Sequence, residues 1–123
     1  MKSCLLMLTL LLFLATTLFA GDPTYVGWVS DSGCARARAS AGKFTATNPD
    51  CARRCIKEGK KIVLISQERK TVFAIDNPEV LRSQVGNKVR ITASSKGAQR
   101  LHVDALTFLE EANPECERPP LKQ

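Results

Sequence analysis

The residues of this 123-residue chain best equipped for chemistry are its five cysteines: Cys4, Cys34, Cys51, Cys55 and Cys116. A thiolate can be a nucleophile, a metal ligand or half of a disulfide, and spacing and compartment decide which. Cys51 and Cys55 are four apart, which on a helix puts both on one face with Cβ atoms about 5–6 Å apart. A disulfide requires roughly 3.5–4.5 Å between Cβ atoms, so these two are not expected to bridge each other. With Cys4 set aside, two pairings remain: 34–51 with 55–116, and 34–55 with 51–116. Either would clamp a helix to the strand before it, and closing a loop of about 20 residues contributes roughly 3 kcal/mol in the chain-entropy model. The alternative is a thiolate metal site, with Cys34, Cys51 and Cys55 joined by His102 or Cys116 to take zinc or copper. The two-residue gap of a zinc knuckle or a thiol-exchange motif is absent.

Charge is the second signal. The chain carries a formal net charge of +6, and the stretch from Cys34 to Lys61 holds eight bases against the two acids Asp50 and Glu58. Arg36, Arg38, Lys43, Arg53, Arg54 and Lys57 form the expected anion-binding set within it. Such a face attracts an anionic glycan, lipid head groups or another polyanion, with a strength that salt erodes. His102 is the only histidine, and strand alternation places it on an exposed face beside Asp104. No Gly-x-Ser-x-Gly elbow marks a nucleophile for it to activate. Glu110 and Glu111 are adjacent rather than opposed, and no glycine-rich phosphate loop occurs. The motifs therefore indicate no enzyme and call for no cofactor.

These side chains need elements to hold them. Tyr25–Val29 is aromatic and β-branched, with Gly27 inside it where a strand bends, and reads as the first strand. Residues 30–47 show no sustained period and read as loop. Asn48-Pro49 opens a short helix carrying Cys51 and Cys55, and Gly59 stops it. Ile62–Ile65 and Thr71–Ile75, around the polar turn Gln67–Lys70, form a hairpin. A second short helix follows Asn77-Pro78 and ends at Gly86. Val89, Ile91 and Ala93 face one side of the next strand, and Leu101, Val103 and Ala105 form the inward set of the last. Tyr25, Trp28 and Phe73 could stack on a ligand, although most of these aromatics are expected in the core.

The order predicts a mostly β (α+β) fold: a small OB-like five-stranded barrel with two short helices. Ahead of it, Lys2 precedes an apolar run from Leu5 to Leu14 interrupted only by Thr9. Small residues then lead to a cut before Gly21, the pattern of a secretory signal peptide over residues 1–20. Its removal would take Cys4 and leave 17 bases against 12 acids. The expected product is one domain over residues 21–109, with a Cys-bearing insert at 30–60 and an acidic, proline-bearing tail at 110–123. A secreted or periplasmic address favours disulfides among Cys34, Cys51, Cys55 and Cys116.

Residues 24–107 resemble a group of small exported bacterial proteins with an OB-like domain. The resemblance is carried by Gly27-Trp28-Val29-Ser30-Asp31-Ser32 leading to Cys34, by Cys51-x-x-x-Cys55-x-x-x-Gly59, and by Gly86-Asn87-Lys88-Val89-Arg90-Ile91-Thr92. It implies an exported barrel. In that group a histidine commonly follows the first cysteine, implying metal or redox chemistry, whereas residues 35–48 here contain none. The sequence as a whole points to an exported non-enzymatic binding or structural domain, with a thiolate metal protein as the alternative.

Overall fold

The computed structural model describes residues 21–112; the expected signal peptide, Cys4, Cys116 and the tail after residue 112 lie outside the described residues. Five strands close into a barrel: β1 (Thr24–Asp31), β2 (Ile62–Ser66), β3 (Thr71–Ile75), β4 (Asn87–Ser95) and β5 (Arg100–Glu111). Their order around the ring is β1-β2-β3-β5-β4. Four seams are antiparallel, and the fifth is a short parallel one that pairs Ala74 with Arg100 and Ile75 with Leu101. This is the small, mostly β OB-like architecture that the pattern of elements predicts.

β1 reaches both neighbours by changing partner along its length. Residues 24–28 pair with β4, and residues 28–31 pair with β2. The two ladders meet at Trp28, beside Gly27, where a Cβ would run into the Ile65 carbonyl oxygen and come within 2.9 Å of Leu64 Cγ. Strands can approach this closely only where one side chain is missing.

Among the described residues there are three helical segments where two were expected. They are α1 (Ser32–Ser40), α2 (Pro49–Lys57) and a 3-10 helix (Pro78–Gln84). α1 falls in the stretch read as loop. Only Ala35 is buried on it, so it carries no apolar stripe that periodicity could reveal. Its alanines and arginines are nonetheless good helix formers, and Asp31 caps it by accepting from the Cys34 N–H at 3.0 Å. α1 covers Val63 and Ile65 on the outer face of β2, together with Trp28, Phe44 and Val72. The unbroken apolar run of β2 follows from this cover, because every residue of the strand is buried.

α2 forms as its sequence predicts. The Asn48 side chain accepts from the N–H groups of Asp50 at 3.0 Å and Cys51 at 3.1 Å, and Pro49 takes the first turn. Ala52 and Ile56 turn toward the main core. The helix start rests on Gly86, whose φ is +92° and whose replacement Cβ would lie 2.7 Å from Pro49 Cβ. The insert leaves and rejoins the barrel at one point, since the Ser32 N–H donates to the Lys61 carbonyl at 2.8 Å. A buried hydroxyl pair, Ser30 with Thr47, fastens its middle.

Leu64, Leu81, Val89, Ile91 and Leu101 fill the interior, and each such side chain contributes about 1.5–3 kcal/mol by leaving water. β4 alternates as expected. β5 does not keep its alternation: Thr92 pairs with Ala105 but Ala93 pairs with Val103, so a bulge at Asp104 turns Ala105 outward. Leu106, opposite Ile91, packs against the core instead. Glu110 and Glu111, the first residues of the expected tail, are the last of β5 and pair with Lys88 and Asn87. Among the described residues, no helix is long and apolar enough to cross a membrane.

Candidate functional site

Two chemically distinct places emerge where the insert meets the barrel. The first is a pair of adjoining clefts. One, of about 600 Å³, lies between α1 and the β3–β5 seam; Arg36, Phe44, Lys70 and Arg100 line it with the β4–β5 turn residues Ala98 and Gln99. The other, of about 510 Å³, shares Arg36, Ala74 and Arg100 with the first and adds Lys60, Lys61, Arg82 and Asp76. Six cations therefore face the combined space against one carboxylate. That carboxylate is already engaged, because Asp76 Oδ1 lies 2.6 Å from His102 Nδ1. Lys70 and Gln99, at the rim, hold left-handed backbone with φ of 48° and 57°.

Of the expected anion-binding residues, Arg36 alone lines these clefts. Arg38 donates to Thr45 Oγ1 at 2.7 Å. Arg53 is spent on Asp50 and on the Val85 carbonyl. Lys43, Arg54 and Lys57 are exposed and line neither cleft. Sequence reasoning missed Lys70, Arg82 and Arg100, since they lie outside the charged insert and reach it only through the closure of β3 on β5. Tyr25 and Phe73 are buried edge-to-face with ring centroids 5.2 Å apart, which removes them as stacking platforms. Trp28 is half-buried, with Lys88 Nζ 5.5 Å from its ring centroid.

The second place is a pocket of sulfur and carboxylate. One donor atom from each of Asp31, Cys34 and Cys55 lies within 4.8 Å of the other two. Asp31 ends β1, Cys34 sits in the first turn of α1 and Cys55 in the second half of α2, so all three elements are needed to assemble it. Asp31 is fully buried. Its Oδ2 caps α1, while its Oδ1 has no hydrogen-bond partner. Burial, then the Asp31 carboxylate and the Cys55 sulfur, pushes the Cys34 thiol from 9.0 up to about 12.

Cys34, Cys51 and Cys55 are all unbonded thiols. Of the two pairings left open by spacing, only 34–55 joins residues that the structure places together, because Cys51, one turn earlier on α2, is exposed and outside the cluster. The expected metal set of Cys34, Cys51, Cys55 and His102 is not assembled. His102 stands with Asp76, and Asp104 instead accepts from Ser94 Oγ at 2.8 Å. The half-exposed strand position gave His102 a nearer partner across the β3–β5 seam than along its own strand. Fold and site together define a small OB-like barrel whose first inter-strand insert carries both a basic cleft and a thiol–carboxylate pocket. The chain matches no family model, no curated protein and no solved structure.

Proposed function

We propose that this chain is an exported, non-enzymatic binding domain, secreted or periplasmic, that takes an anionic polymer into the cleft between its insert and the β3–β5 seam. The observation that carries this reading is the convergence of Arg36, Lys60, Lys61, Lys70, Arg82 and Arg100 on one space containing a single, hydrogen-bonded carboxylate. Low-dielectric walls focus the field of such a cluster and raise the local concentration of anions. The position supports the reading too, because OB barrels bind oligonucleotides and oligosaccharides across strands 2 and 3 between the β1–β2 and β4–β5 loops. Here the β1–β2 loop is the insert, and the β4–β5 turn supplies Ala98 and Gln99. Phe44, half-buried at the cleft wall, offers an apolar surface to a sugar ring or acyl chain. Chromatography on immobilised heparin tests the proposal: retention at low ionic strength with elution as salt rises is expected, and flow-through at low salt sinks it.

A further inference from the structure

We propose that Asp31, Cys34 and Cys55 form a binding site for one zinc-class divalent cation, with a fourth coordination position open to water or an external ligand. The argument starts from Asp31. A carboxylate removed from water is stable only when paired or fully hydrogen-bonded. Asp31 has no exposed surface, and only its Oδ2 is used, on the α1 cap. Its Oδ1 is buried without a partner, and the carboxylate lies within 4.8 Å of both sulfurs.

The geometry agrees with a cation between the three. Thiolates bind zinc at about 2.3 Å and carboxylates at about 2.0–2.2 Å, so donors sharing one tetrahedral ion lie about 3.5–3.8 Å apart. All three donor atoms fall within 4.8 Å of one another, so closing onto an ion takes side-chain movements of about 1 Å at most. Two sulfurs and one oxygen select a borderline-soft ion over magnesium or calcium, which prefer all-oxygen shells. Binding would convert both thiols to thiolates and release two protons to solvent, leaving a complex of net charge −1 within the strongly basic insert. The competing chemistry is oxidation to a Cys34–Cys55 disulfide. That bond would join the sulfurs but leave Asp31 Oδ1 as unpartnered as before; a cation satisfies all three groups. The site is separate from the basic clefts and stands or falls independently of them.

The test uses the full chain, reduced and handled without oxygen, titrated with zinc alone against a chromophoric chelator and with cobalt as a spectroscopic substitute. One equivalent is expected, with thiolate-to-cobalt charge-transfer absorption. Cys34→Ser and Cys55→Ser abolish it. Asp31→Asn weakens zinc by more than the roughly 10–100-fold cost of losing an outer-shell partner. Cys51→Ser, on an exposed thiol, leaves affinity unchanged, and circular dichroism checks that each variant is folded. Folded reduced protein that binds no zinc, binding that survives in Cys34→Ser or Cys55→Ser, or binding lost in Cys51→Ser overturns the proposal. So does a metal-free Cys34–Cys55 bridge mapped in protein taken from its own host.

Discussion

Arg36 and Arg100 are the two cations common to both clefts, which makes their joint removal the sharpest test of where an anionic polymer sits. Each cation that displaces a counterion contributes about 0.7–0.9 to the slope of log affinity against log salt, the lower figure applying to flexible single chains. Six engaged side chains give a slope of about −4 to −5.5. Neutralising two of them, as Arg36→Gln with Arg100→Gln, lowers its magnitude by about 1.4–1.8. At about 0.1 M salt the same factor predicts a 25- to 60-fold loss of affinity. Both residues are exposed, and Arg100 joins the barrel through its backbone, so the fold should survive. The assay is titration with a heparin oligosaccharide across roughly 50–200 mM salt, the range over which such slopes are resolved. A second pair, Arg54→Gln with Lys57→Gln, removes the same charge from α2 outside both clefts. If that control loses as much affinity as the cleft variant, or the cleft variant keeps the wild-type slope, binding is a diffuse property of net charge and the localised site is wrong.

Two further predictions concern the scaffold and the thiols. Gly27→Ala places a methyl group against the Ile65 backbone, and overpacking of this kind costs about 1–3 kcal/mol. In a domain of this size each kcal/mol lowers Tm by about 4–8 °C; an unchanged melting temperature would mean that β1 does not turn tightly there. Cys34 keeps its proton in the fold up to about pH 12 but loses it near 9 when unfolded. Its contribution to stability is therefore intact below pH 9 and declines as pH rises from there to about 12. With reductant and chelator present, wild-type stability should fall more steeply over that window than that of Cys34→Ser, and parallel curves would refute the buried-thiol account. At neutral to mildly alkaline pH, iodoacetamide should label exposed Cys51 well before Cys34, as peptide mapping would show, since the thiolate is the reactive form.

Local sequence was sufficient for features whose causes are local. Asn48-Pro49 specified the start of α2 because a side-chain acceptor and a preset φ act within one turn. The hairpin of β2 and β3 and the alternation of β4 were equally legible, since period and turn residues are read within a few positions. The order of these elements was enough to suggest a small OB-like barrel.

What the sequence left open depended on contacts between distant segments. α1 has no apolar stripe of its own and is held by its Asp31 cap and by the outer face of β2 that it covers. The bulge at Asp104 exchanged Ala105 for Leu106 in the interior, a choice made by pairing with β4 and invisible in β5 alone. Asp31 reads in the chain as an ordinary polar residue at the end of a strand, yet closure of the insert buries it beside two sulfurs. Arg100 joins Arg36 in one cleft because a short parallel seam carries the β4–β5 turn beside α1. Caps, turns and periods act over one or two turns of chain, whereas burial and convergence of charge exist only once the ring has closed.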